Sequence, residues 1–148
     1  MNSDPACDVL IVEDEMAQCE EMADFLARAG LEVRMALHGA SALRQAAEFR
    51  PRVALLDYNL PDTNGVELAK ELRALLPEVK IILMSGRIEG LSEQTVQKIG
   101  ITVFVNKPLP LGALRQAVLK LVRTDPVGRG ARPRTSGWLS AGLGGTRD

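Results

Sequence analysis

Five short aliphatic runs, each followed by an amphipathic segment, constrain this chain more than any other feature. "DVLIV" at Asp8 to Val12, "LEVRMA" at Leu31 to Ala36, "VALLD" at Val53 to Asp57, "KIILMS" at Lys80 to Ser85 and "TVFVNKP" from Thr102 read as strands. Between them, apolar residues return at helical spacing. "MAQCEEMADFLARAG" puts Cys19, Met22, Leu26 and Ala29 on one face, and Gly30 supplies a stop. "SALRQAAEF" reads as a helix with Ser41 as its N-cap, ending before Pro51. "GVELAKELRALL" keeps Val66, Leu68, Leu72, Leu75 and Leu76 in phase until Pro77. "SEQTVQKIG" is a short polar helix, and "LGALRQAVLKLV" closes the series with Leu111, Leu114, Val118 and Leu121 as its stripe. Strictly alternating β and α units predict an α/β fold, an open parallel sheet covered by helices on both faces. The third and fourth runs are apolar throughout, as doubly covered parallel strands must be.

The length of 148 residues suits one domain. Aromatic residues make up 3% of it, so the core must be aliphatic. The net charge of −1 gives no general attraction to nucleic acid or membranes. Beyond Asp125 the composition changes: eight of the last 23 residues are Gly or Pro, without periodicity. That tail holds four arginines and one aspartate, which leaves −4 on the preceding 125 residues. The expected organisation is a domain over 1–125 and a flexible tail over 126–148. Trp138 and Leu139 could serve as a docking motif there, whereas four spread arginines make a weak footprint for nucleic acid.

Cys7 and Cys19 are too few for a disulfide framework and read as reduced thiols. The N-terminus lacks the basic and apolar regions of a signal peptide, and no apolar run approaches a membrane span. A soluble, cytoplasmic chain is expected.

Ligands of open α/β sheets bind beyond the carboxyl ends of the strands. Here those ends carry Glu13 and Asp14, then Asp57, Ser85 and Lys107, while the second strand ends in apolar Ala36 and Leu37. Carboxylates about 4 Å apart at an effective dielectric near 20 repel by roughly 4 kcal/mol. Such a cluster either binds protons or takes a cation. Its donors are all oxygens, which indicates a hard divalent ion, and Mg²⁺ suits few carboxylates completed by waters and phosphate oxygens. Lys107 and Ser85 opposite that ion would clamp a tetrahedral oxyanion. Gly86 leaves the following backbone N–H uncovered. A carboxylate in this clamp can attack phosphorus and form an acyl phosphate.

Glu13-Asp14, Asp57, Ser85 and Lys107-Pro108 on successive strand ends resemble the receiver domain of bacterial two-component response regulators, over about Asp8 to Val122. The resemblance implies a flavodoxin-like doubly wound (βα)5 fold with sheet order 2-1-3-4-5. It implies that Asp57 accepts a phosphoryl group from a sensor histidine kinase or a histidine phosphotransfer protein. Asp14, Asp57 and the backbone carbonyl of Asn59 would ligate Mg²⁺, with Glu13 acting through a water on the ion. Ser85 and Lys107 would bind phosphoryl oxygens, Ser85 and Phe104 would report phosphorylation, and the Lys107-Pro108 peptide would be cis. Asn59 and Arg87 flank the path of an attacking water and are expected to set the lifetime of the phosphate. Output would pass through the face of helix four, strand five and helix five to a protein target, with a phosphorylation-dependent dimer as one form. Glu13 stands where Asp is more frequent and Ser85 where Thr is, and "IGITVFVN" lacks the small Ala that usually follows the Gly.

Simpler readings exist for each residue. An isolated Asp57 could close a strand, Glu13-Asp14 could cap helix one, Ser85 could be a satisfied hydroxyl, Phe104 could be core, and His38 reads as surface. A magnesium-dependent phosphatase of the haloacid-dehalogenase type also uses an Asp nucleophile. It places that Asp on its first strand and a second Asp two residues on, where this chain has Asn59. The expected module is therefore not an enzyme in the usual sense. A receiver whose effector lies on a longer chain is a further alternative. Glycine-rich nucleotide-binding motifs are absent from the sequence.

Overall fold

The computed structural model describes residues 7–86, 93–108 and 110–123. Strands β1 (Val9–Val12), β2 (Val33–Ala36), β3 (Val53–Asp57), β4 (Lys80–Ser85) and β5 (Val103–Asn106) alternate with helices α1 (Met16–Ala27), α2 (Gly39–Phe49), α3 (Gly65–Leu75), α4 (Glu93–Ile99) and α5 (Leu111–Arg123). The strands form one sheet in the order β2-β1-β3-β4-β5, every pairing parallel. The flavodoxin-like α/β arrangement expected from the sequence is the one observed.

Side chains of a strand point alternately to the two faces, and the three central strands are apolar in both phases. Leu10, Val12, Ala54, Leu56, Ile81 and Leu83 pack with Ala42 and Ala46 of α2 and Leu68, Ala69 and Leu72 of α3. Val9, Ile11, Val53, Leu55, Ile82 and Met84 pack with Cys19, Met22 and Leu26 of α1 and Leu114, Val118 and Leu121 of α5. Fully burying each such aliphatic side chain contributes about 1.5–3 kcal/mol. The sheet is thus a stiff platform with a core on each side.

Most element ends follow the sequence to within about two residues: α1 stops at Ala27, before Ala29, β5 stops at Asn106, and two starts also differ. β2 begins at Val33, because Leu31 and Glu32 belong to the turn leaving α1, where Gly30 has a φ of 92°. α2 begins at Gly39, two residues before Ser41, and His38 is its N-cap. The His38 ring accepts the amide of Ser41 at Nδ1, 3.2 Å away, so Ser41 is a recipient of the cap. His38 lies at the surface, as the sequence suggests, with 45% of its side chain exposed, and serves there as a helix cap. The tail over 126–148, including Trp138 and Leu139, lies outside the described residues. No helix among the described residues is long and apolar enough to cross a membrane.

Candidate functional site

Three of the strand-end residues continue the row of one sheet face. Ile11, Leu55 and Val105 all pack into the core beneath α1 and α5. Two residues further along each strand come Glu13, Asp57 and Lys107. Period-2 alternation therefore delivers two carboxylates and an ammonium to one place. Lys107 Nζ lies 3.0 Å from Asp57 Oδ1 and 3.3 Å from Glu13 Oε1. The Lys107-Pro108 peptide is cis, as the resemblance implied.

Asp14, next along from Glu13, is exposed, and carboxylate oxygens of Glu13, Asp14 and Asp57 lie within 4.8 Å of one another. Glu13 and Asp57 are buried, with 1% and 5% of their surfaces exposed. At that separation and an effective dielectric near 20, two such charges repel by roughly 3–4 kcal/mol. Burial pushes the carboxyl of Asp57 above its ordinary range, against the pull of Lys107 and with help from Asp14. Burial likewise raises Glu13, against the Glu15 backbone N–H, which donates to Glu13 Oε2 at 3.1 Å. For Lys107, burial favours loss of the proton, but the hydrogen bonds and charges of Asp57 and Glu13 outweigh it and hold the ammonium above its usual range. Among the described residues one ammonium, on Asp57 and Glu13, stands against three clustered acidic groups, an excess of negative charge. All-oxygen donors at this spacing fit a hard divalent cation.

The helix-capping reading of Glu13-Asp14 is met only at its edge. Glu13 accepts the amide of Glu15, the residue before α1, and Glu15 makes no side-chain cap of its own. Ser85 is fully buried at the end of β4, and its carbonyl accepts the amide of Lys107 at 2.8 Å. Phe104 is half-buried and packs against the core beneath α2 and α3. Asn59 is exposed and forms an isolated bridge with Asn64. Arg87 lies outside the described residues.

Two residues matter here beyond the expected set. Asn64 caps α3, its side-chain oxygen accepting the amides of Val66 and Glu67 at 2.9 Å each. An Asn immediately before a helical Gly-Val-Glu run was the available signal. Gly65 is buried where a Cβ would meet Leu83 Cδ1 at 2.5 Å and the Asp57 carbonyl oxygen at 2.8 Å. Only a glycine lets α3 start this close to the acid-bearing strand, and its amide donates to the Tyr58 carbonyl at 2.7 Å.

Residues 9–119 match the response regulator receiver domain family. The chain belongs to that family. Among curated relatives, the transcriptional regulatory protein PrrA of Mycobacterium leprae is 33% identical over 115 residues, covering 78% of this chain and 49% of that protein. The TorCAD operon transcriptional regulatory protein TorR of Escherichia coli K12 is 32% identical over 127 residues, 86% of this chain and 55% of that protein. The chain spans about half the length of these curated relatives. A solved structure of the receiver domain of NtrX from Brucella abortus is 27% identical with a TM-score of 0.72, covering 80% of this chain and 100% of that one. A CheY-like receiver domain protein from Methanospirillum hungatei JF-1 is 25% identical with a TM-score of 0.74, covering 79% and 94%. A receiver domain is a signalling module of a two-component system and not a classical enzyme, so the phosphatase alternative is set aside.

Proposed function

We propose that Asp57 is the phosphoacceptor of this receiver domain, loaded by a sensor histidine kinase or a histidine phosphotransfer protein. The observation that carries this reading is the contact of Lys107 Nζ with the buried Asp57 Oδ1, beside the carboxylates of Glu13 and Asp14. In the transfer an Asp57 carboxylate oxygen attacks phosphorus, the O–P bond forms and the P–N bond to the donor histidine breaks. The leaving imidazole nitrogen keeps the electron pair and takes up a proton.

Mg²⁺ is the cation that the oxygen donors suit best, and it would offset charge on the transferring group. Asp14, Asp57, the Asn59 carbonyl and, more indirectly, Glu13 would hold it. Lys107 is already at the acceptor and needs only to turn from the carboxylate toward a phosphoryl oxygen. Ser85 would bind a second such oxygen, and its movement with Phe104 would carry the signal to the face of α4, β5 and α5. A protein target, or a second copy of the chain, would read that face. Asn59 and Arg87 would govern the lifetime of the acyl phosphate. The module occupies 1–125, works in the cytoplasm, and carries 126–148 as a tail.

Intact mass after incubation with an acyl phosphate and Mg²⁺ tests this. One added phosphate that is lost in Asp57→Asn supports it, and an unmodified wild-type protein would sink it. The half-length match to transcriptional regulators favours a second reading, in which this receiver governs an effector domain on a longer chain. The mass of the protein isolated from its own cells separates the two.

A further inference from the structure

The segment between β3 and α3 is tied to a second helix by a side chain that the phosphoacceptor reading does not use. Asp62 turns away from the acidic pocket and places both carboxylate oxygens on the N-terminus of α2. Oδ1 accepts the amide of Gly39 at 2.8 Å and Oδ2 the amide of Ala40 at 3.0 Å. These are among the amides that the start of a helix leaves without a partner in the helix itself. Beside them, a Cβ on Gly39 would fall 2.6 Å from Thr63 Cγ2 and 3.3 Å from Asp62 Oδ1, so the loop and the helix start are in direct contact. The Gly39 amide, helped by that of Ala40, holds Asp62 below the usual carboxylate range, which keeps it a charged acceptor at neutral pH. The His38 ring nitrogen lies 3.9 Å from Oδ2 on the outer side.

α2 is a firm anchor. Ala42 and Ala46 are fully buried against the same core face as Ala54 and Leu56 of β1's neighbour β3. The loop itself is fastened at its base, by the Asn59–Asn64 bridge and the Gly65 amide on Tyr58. Its tip has Asp62 as its hydrogen-bonded tie to another helix. Asn59 stands at that base, three residues before Asp62.

We propose that Asp62 is a positioning residue for the cation site: by clamping the β3–α3 loop to α2, it fixes where Asn59 presents its backbone carbonyl. This inference rests on the reading of Asn59 and the acidic pocket as a Mg²⁺ site. Asp62 touches neither the cation nor the phosphoryl group. It acts one step further out than the direct partners of metal ligands, whose loss typically weakens metal binding by about 10–100-fold. The low end applies here, because the carboxylate ligands stay in place.

The test is a calorimetric Mg²⁺ titration of the full chain and of Asp62→Ala, Asp62→Asn and Gly39→Ala, with amide exchange followed at Gly39 and Ala40. Asp62→Ala should raise the Mg²⁺ dissociation constant about tenfold and deprotect both amides. Asp62→Asn retains one acceptor oxygen and should recover most of the affinity. Gly39→Ala pushes the loop away while leaving Asp62 intact, so it should weaken Mg²⁺ binding too. The double variant should lose less than the sum, since both changes break one contact. Phosphorylation by an acyl phosphate should slow at limiting Mg²⁺ and return to the wild-type rate at saturating Mg²⁺.

Unchanged Mg²⁺ affinity in both Asp62→Ala and Gly39→Ala overturns the proposal, even if the variants unfold more easily, because Asp62 is then only a helix cap. Wild-type protein that binds Mg²⁺ but takes no phosphoryl group overturns the role of Asp57, and the titrations still decide that of Asp62. Wild-type protein that binds no Mg²⁺ overturns both.

Discussion

Lys107 and Asp57 stand at the ends of β5 and β3, 50 positions apart in sequence, and meet at 3.0 Å between Nζ and Oδ1. Glu13, from the end of β1, shares the same ammonium at 3.3 Å. Among the described residues this ammonium is the cation of the acidic cluster, and its side chain is 28% exposed.

Replacing Lys107 with Ala leaves two buried carboxylates without their ammonium. Losing one partner of a buried polar pair costs about 1–3 kcal/mol, here at the lower end because the lysine is partly hydrated. Urea denaturation at neutral pH should show that loss, and added Mg²⁺ should reduce it. Equal stability of Lys107→Ala and wild type in a chelating buffer would argue that the pair contributes nothing.

The metal-free protein should lose stability as pH rises out of the acid range. Asp57 and Glu13 both have folded-state values above their ordinary ones. The folded state therefore holds protons more tightly than the unfolded chain across that window, and stability falls as they leave. Asp62 has the opposite sign, being lowered, and its contribution is lost as pH falls. Lys107 is raised, so its contribution persists to alkaline pH and is lost only as pH passes through its folded value. Asp57→Asn removes one of the two penalties that appear as these carboxyls ionise. Its urea midpoint in chelator should exceed that of wild type at pH 7 and converge with it in acid; a lower midpoint at pH 7 would contradict this account.

Gly65→Ala tests the close approach of α3 to β3. The new Cβ overlaps Leu83 and the Asp57 carbonyl, and a backbone oxygen cannot step aside as a side-chain tip can. Overpacking of this kind costs roughly 1–3 kcal/mol. Slower phosphorylation should accompany the lower melting temperature, because the displaced backbone carries the phosphoacceptor.

Cys7 and Cys19 are free and buried, and burial pushes both thiols up to about 11. A thiol reagent at pH 7–8 should label neither in the native protein and both in denaturant, since the thiolate is the reactive form. Rapid native labelling at Cys19 would show that α1 opens away from the sheet.

Much of this is legible in the sequence. The aliphatic runs gave β1, β3 and β4 because a strand buried on both faces has no room for polar residues. Asp57, Glu13 and Lys107 could be named because an ionisable group ending such a run has no packing role. α2 starts two residues before Ser41, the cap its sequence suggests, for an equally physical reason. Two of its first amides are satisfied by Asp62, 22 or 23 positions downstream, and no local pattern around His38 announces that partner.

The sequence by itself determined the elements, their order and the chemical types at the strand ends. Those follow from side-chain periodicity and from which residues tolerate burial, both local properties of the chain. Tertiary structure alone decided that Lys107 lies on Asp57 and Glu13 together, that Gly65 abuts the Asp57 carbonyl, and that Asp62 serves α2 and not the pocket four residues behind Pro61's turn. Each of those is a contact between distant segments. It is fixed by the parallel register of the sheet and the close packing of helices on it, which no single segment encodes.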